Sequence, residues 1–133
     1  MTNKRGFTLV ELAVVIVIIG VLAAFGVPRF REAVERSKAS ESFNYLSAVR
    51  SAQERYHSRQ GAYADNASNL DINFPAPKYF SLGVMNADES QWNTTLYRTG
   101  ASAGYGKYTV SFGETGYLTA SNIPPLINPM ASN

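Results

Sequence analysis

Cysteine is absent from the 133 residues. Disulfide staples, thiol nucleophiles and cysteine-ligated metal sites are therefore excluded. Histidine occurs once, at His57, with no second histidine or acidic cluster near it in sequence, so an imidazole-centred catalytic or metal site lacks its other members. Acids thin out toward the C-terminus, where Glu114 is the only one after Glu89. A hard cation such as calcium takes several oxygen ligands, carboxylates usually among them, so no metal and no other cofactor is expected. No residues are spaced as a nucleophile–base pair or a catalytic carboxylate pair, and the chain is expected not to be an enzyme. The net charge is only +2, an excess that Lys4 and Arg5 supply by themselves. Bulk charge thus gives no case for a nucleic-acid partner.

Charge is also missing from one long internal stretch. Between Glu11 and Arg29 every residue is uncharged, and from Phe7 to Val27 only Thr8 and Glu11 are polar. About 20 apolar residues suffice for a helix to cross the hydrocarbon core of a bilayer. The remaining hundred or so residues are mixed in character and long enough to bury a core of their own.

Glu11 is the anomaly in that run. A cleaved secretory signal, with Lys4 and Arg5 as its basic region and Ala24-Phe25-Gly26 as its cleavage site, does not accommodate a charge so early in the apolar stretch. A plain signal anchor, with Lys4 and Arg5 held in the cytoplasm, fits the charge pattern but leaves Glu11 unexplained. Cleavage after Gly6 gives it a purpose. Phe7 would then carry a new α-amino group, and Glu11 lies four residues on, on the same helix face. A buried carboxylate and a buried ammonium each need a partner. The amine of the same chain, or of a neighbouring subunit in a packed bundle, would supply it.

The run Lys4-Arg5-Gly6-Phe7-Thr8-Leu9-Val10-Glu11-Leu12 resembles the processing motif of type IV pilins and of type II secretion pseudopilins. The resemblance covers roughly the first 30 residues. It implies that a prepilin peptidase cleaves after Gly6 and N-methylates Phe7, and that Glu11 serves assembly by neutralising a neighbour's amine. Gly20 and Pro28 also match the family, whose helix often loosens between these positions in the filament. The implied partners are other pilins in a homo-polymer, the peptidase/methylase, an inner-membrane assembly platform and its ATPase. The implied location is the bacterial inner membrane, N-terminus in the cytoplasm, and afterwards a periplasmic or extracellular filament. A pseudopilin of a type II secretion system remains an alternative. A membrane-anchored binding domain that never polymerises is the alternative from another class.

Beyond Pro28, which would kink a helix without necessarily ending it, there is no proline or glycine until Gly61. Phe30, Ala33 and Val34 share one side, and Phe43, Leu46, Val49 and Tyr56 continue a stripe. Opposite charges at Glu32/Arg36, Arg31/Glu35 and Arg50/Glu54 read as pairs on the solvated face. One helix is thus expected from about Thr8 to Gln60, stopped at Gly61.

Residues 61–78 read as a long connection with one short helical turn near residues 67–70. Four runs of period-two alternation follow. The inward sets are Phe80, Leu82 and Val84; Trp92, Thr94 and Leu96; Tyr108, Val110 and Phe112; and Leu118 and Ala120. Tyr79, Tyr97, Tyr105 and Tyr117 read as outward. Short links predict an antiparallel meander whose apolar face is covered by the helix. The proline-rich tail SNIPPLINPMASN is expected to lie over the domain. The fold class is α+β: a long helix on a four-stranded antiparallel sheet, which is also the family's architecture. The expected division is a leader at 1–6, the transmembrane and assembly half of the helix at 7–28, its amphipathic half at 29–60, the connection at 61–78, and sheet plus tail at 79–133. The chain has neither the disulfide common at this end of type IV pilins nor the acids of calcium-binding pseudopilins.

Overall fold

The structure is a computed structural model that describes residues 2–131. Met1 of the expected leader and Ser132 and Asn133 of the expected tail lie outside the described residues. One helix, α1, runs unbroken over Leu9–Gln60, about 78 Å at 1.5 Å per residue. Thr8 caps its start. Gly61, in the left-handed conformation at φ 76°, closes its end by donating its N–H to the His57 carbonyl at 2.8 Å.

The sheet contains β1 (Phe80–Leu82), β2 (Asn86–Ala87), β3 (Trp92–Arg98), β4 (Thr109–Gly113) and β5 (Gly116–Tyr117). All pairings are antiparallel, in the order β1-β3-β4-β5, with β2 also on β3. β1 and β2 follow one another along the same edge of β3. Leu82 faces Leu96 while Asn86 faces Asn93, which leaves one residue more on the outer strand than on β3. The two are therefore halves of one bulged edge strand. Gly83 sits in the bulge and donates its N–H to the Thr95 carbonyl at 2.8 Å.

The bulge corrects the expected inward set of Phe80, Leu82 and Val84. The extra residue inverts the alternation, so Met85 takes the core place and Val84 is 77% exposed. Leu82, at the sheet edge, is also exposed. The last expected strand is likewise shorter than its pattern. The strand ends at Tyr117, one further backbone bond joins the Leu118 N–H to the Ser111 carbonyl at 2.9 Å, and Leu118 is half-buried and Ala120 exposed. Tyr117, read as outward, stacks on Phe43 with ring centroids 5.5 Å apart. Tyr79 and Tyr97 are exposed, as read, whereas Tyr105 packs half-buried on the core.

The core lies between one side of α1 and the sheet. Ala39, Phe43, Leu46 and Val49 meet Phe80, Trp92, Leu96, Tyr108, Val110 and Phe112. Tyr56 is half-buried. The covered face starts at Glu35, later than the stripe suggested: Phe30 is 70% exposed and Ala33 is exposed. The connection is tacked to the helix by Gln53, whose buried amide donates to the Ala64 carbonyl (2.7 Å) and accepts the Ala64 N–H (2.8 Å). Asp71 takes both Arg55 and Arg59. The short turn is present at Ala67–Asn69. The tail folds back over the domain. Asn122 pairs with Thr109, a 3₁₀ turn forms at Pro125–Ile127, and Ile123 and Ile127 enter the core.

Gly113 closes the end of β4 against β3. A Cβ there would stand 2.7 Å from the Trp92 carbonyl oxygen, a backbone atom that cannot swing away. Gly113→Ala is therefore expected to lower stability by about 1–3 kcal/mol, the usual cost of overpacking, read as a shift in the urea midpoint followed by the fluorescence of Trp92.

Candidate assembly surface

The first half of α1 stands clear of the domain. None of its most apolar stretch is buried. Phe7, Leu9, Ile16, Leu22 and Phe25 are each at least 66% exposed. Fully burying one such side chain contributes about 1.5–3 kcal/mol. A bare rod of twenty of them in water is far less stable than the same rod in lipid or against other apolar helices.

Glu11 lies in the first turn of this rod. Its Oε2 accepts the backbone N–H of Thr8 at 2.8 Å, while the Thr8 hydroxyl accepts the backbone N–H of Glu11 at 3.1 Å. This is a reciprocal capping box, which satisfies two backbone donors at a helix start. The carboxylate also stands at the positive end of the helix dipole. Only Oε2 is used, which leaves Oε1 with no partner among the described residues. The acid thus has a local structural role and spare acceptor capacity for an ammonium. The Thr-x-x-Glu spacing is the sequence signature that announces the cap.

Gly6 and Phe7 precede the cap in exposed, non-helical chain. The bond between them is reachable, with no tertiary contact around a Cβ at Gly6. Gly20 and Pro28 both lie inside the continuous helix. A Cβ on Gly20 would meet nothing within 4 Å, so packing within the chain does not call for glycine there. Gly20 and Gly26 weaken the local helix, and Pro28 removes one of its hydrogen bonds. His57 stands apart from all of these, half-buried, with Nε2 3.0 Å from the Glu89 carbonyl oxygen and its ring stacked on Tyr63.

A second polar constellation marks where the helix enters the domain. Glu35, assigned from its spacing to the solvated face with Arg31, is instead completely buried. Arg98 binds it through two parallel hydrogen bonds, Nε to Oε1 at 2.7 Å and Nη2 to Oε2 at 3.1 Å, and the Tyr108 hydroxyl donates to Oε1 at 2.7 Å. The remaining Arg98 donors reach the carbonyls of Tyr79, Thr99 and Ala101. All five guanidinium donors are thus used, the condition under which a buried charge is tolerated. Burial alone would raise the Glu35 pKa. The hydrogen bonds from Arg98 and Tyr108, with the charges of Arg98 and Lys38, outweigh it and hold the carboxyl below its ordinary range. Burial, then the bond to Glu35, pushes the Tyr108 hydroxyl well up. A lone Arg in a strand otherwise patterned for the core was the available signal, but its partner lies far away in sequence.

Residues 1–27 match the family model described as the prokaryotic N-terminal methylation motif. The fimbrial protein EcpC of Eikenella corrodens is 36% identical over 104 residues, which cover 76% of this chain and 68% of that protein. The type IV major pilin protein PilA of Myxococcus xanthus is 44% identical over 68 residues, 51% of this chain and 31% of that protein. The type IV major pilin protein PilE1 of Neisseria gonorrhoeae is 32% identical over 74 residues, 56% of this chain and 45% of that protein. The aligned part thus spans less than half the length of the latter two.

Proposed function

This chain belongs to the type IV pilin family, and we propose on that premise that it is a structural pilus subunit made as a precursor and matured by cleavage after Gly6. A prepilin peptidase removes residues 1–6 and N-methylates Phe7. Before assembly the chain sits in the bacterial inner membrane, crossing it once with the N-terminus in the cytoplasm. Residues 7–28 span the bilayer and later form the filament interior. Residues 29–60 carry the domain, residues 61–78 connect, and residues 79–133 form sheet and tail. An assembly platform and its ATPase lift the chain into a polymer of its own kind and of other pilins, periplasmic or extracellular. Glu11 of one subunit meets the Phe7 amine of another. The helix loosens between Gly20 and Pro28 as it leaves lipid. The protein acts by packing and has no catalytic activity.

One observation carries this reading: a half-helix whose most apolar stretch is left unburied by its own domain, headed by a carboxylate with one oxygen free of partners among the described residues. The test is to shear surface filaments from cells that express the chain and image them. Filaments that contain this chain, and vanish when it is deleted, are the expected result. A chain found only within the envelope, with secretion lost on its deletion, would assign it to the pseudopili of type II secretion instead. A chain that stays dispersed in the membrane while the machinery is active would leave a non-polymerising binding domain.

A further inference from the structure

We propose that the loop at residues 99–107, with the turns of α1 just beyond Pro28, is a docking surface for anionic phospholipid headgroups that seats the domain on the bilayer before assembly. This rests on the reading that the apolar half of α1 spans a membrane.

The first support is position. Ala103, Gly104 and Tyr105 line a shallow hollow together with Val27, Pro28 and Arg31. The loop therefore reaches down to where the charge-free stretch of the helix ends. With residues 7–28 in the bilayer, that level is the headgroup layer. Tyr105 packs one side on the core, and tyrosine is a residue favoured at this depth because its ring is apolar and its hydroxyl is polar.

The second support is charge. The adjoining hollow is lined by Arg31, Lys38 and Lys107 and by the small residues of the loop, with no carboxylate among its described lining. The acids nearby are already engaged. Glu32 pairs with Arg29 at 3.8 Å, Glu35 is buried with Arg98, and Glu41 accepts the backbone N–H groups of Lys78 and Tyr79. Arg31 and Lys107 make no ion pair among the described residues. Arg29, Arg31, Arg36 and Lys38 after the span outnumber Lys4 and Arg5 before it. In the proposed orientation these four stand on the translocated side of the span. On the translocated side, the phosphate layer is the complementary surface within their reach.

The third support is rigidity. Arg98 ties down the carbonyls of Thr99 and Ala101. Within the loop, the Ser102 hydroxyl donates to the Gly106 carbonyl at 2.7 Å and the Tyr105 N–H to the Ser102 carbonyl at 3.0 Å. The loop is thus held beside the helix before any lipid is met. The buried Glu35–Arg98 pair thereby holds the loop beside the basic turns of α1.

The absence of cysteine permits a direct test in the full chain. Ala103→Cys carries a fluorophore, and the protein is reconstituted in nanodiscs of phosphatidylglycerol or phosphatidylcholine that contain a spin label on the lipid headgroup. Thr115→Cys, on the β4–β5 turn near Arg50 and about 30 Å further along the helix, is the control. Quenching at position 103 in phosphatidylglycerol, weak in phosphatidylcholine and absent at position 115, is expected. Arg31→Gln with Lys107→Gln should lower the seated fraction relative to the lifted one by on the order of thirtyfold at low salt, since each basic group near an anionic surface is worth about a factor of five. Equal quenching in both lipids, or quenching that the double variant retains, overturns the proposal. Resistance to alkaline extraction reports insertion separately. Inserted protein without quenching at position 103 sinks the docking surface alone, whereas extractable protein sinks the membrane reading on which it rests.

Discussion

Glu11→Ala is expected to be exported and processed at near-normal levels and to form no filaments. The exposed half of α1 makes no contact that the domain depends on. Removing the carboxylate therefore costs the folded domain nothing and the helix start only its cap, about 0.5–2 kcal/mol. In the filament the cost is of another kind. An ammonium left in an apolar bundle without its counter-charge loses about 3–5 kcal/mol, enough to lower each addition step by a factor on the order of a hundred or more. The capping box supplies the control that separates the two roles. Glu11→Gln keeps an acceptor oxygen for the Thr8 N–H but has no charge, and should fail to assemble. Thr8→Ala loses half the cap, keeps the charge, and should still assemble. Counting sheared filaments for the three variants checks this. Wild-type numbers from Glu11→Gln would mean that the cap explains Glu11 and that charge pairing does not.

Removal of either member of the buried pair should be the most destabilising single change in the domain. Glu35→Ala leaves the Arg98 guanidinium buried without its carboxylate, and Arg98→Ala leaves the Glu35 carboxylate without its cation. Each is expected to cost about 3–5 kcal/mol, a large part of the 5–15 kcal/mol typical of a domain. The double variant should cost less than the two singles added, since the second removal breaks a bond already lost. Tyr108→Phe should cost about 1.5–3 kcal/mol, the worth of a hydrogen bond to a charged group. Unfolding of the full chain in micelles, followed through Trp92, measures all four. Additive losses would mean that the two residues act separately.

The same trio sets a pH dependence. Glu35 has its folded pKa lowered, chiefly by bonds that overcome burial. Its contribution is therefore complete above the ordinary carboxylate range and disappears as pH falls through the lowered folded value. Tyr108 has its folded pKa raised, by burial first and Glu35 second. Its contribution is complete below the ordinary tyrosine range and fades as pH rises above that range. Stability from this cluster should be level between the two ranges, and the acid limb should flatten in Glu35→Gln.

The parts that were legible in the sequence are those that depend on local period. Fifty residues without an internal turn signal apart from Gly20, Gly26 and Pro28 made one helix, and the spacing of Phe43, Leu46 and Val49 marked its covered face. Alternating runs joined by turn-rich links made the antiparallel hairpins. The illegible parts each depend on a distant partner or on one inserted residue. Gly83 alone does not reveal a bulge, because its effect, Met85 inward and Val84 outward, appears only when β3 is laid beside it. Glu35 four residues after Arg31 has the spacing of a surface pair. Its burial follows from Arg98 and Tyr108, which come from β3 and the approach to β4. At the assembly end, the residues of the processing motif were evident from their order. The cap that Thr8 makes with Glu11 was equally written there, as Thr-x-x-Glu, but was hidden behind the more conspicuous charge in the apolar run.

The central claim is that the chain is cut after Gly6 and that the new end is what Glu11 meets. The most direct measurement is the N-terminal sequence and intact mass of the protein recovered from native membranes and sheared filaments. A chain beginning at N-methylated Phe7 is the predicted result. A chain beginning at Val27 would mean an ordinary signal peptide. One that retains Met1 or Thr2, with the peptidase present, would mean a plain anchor, and either would contradict the account.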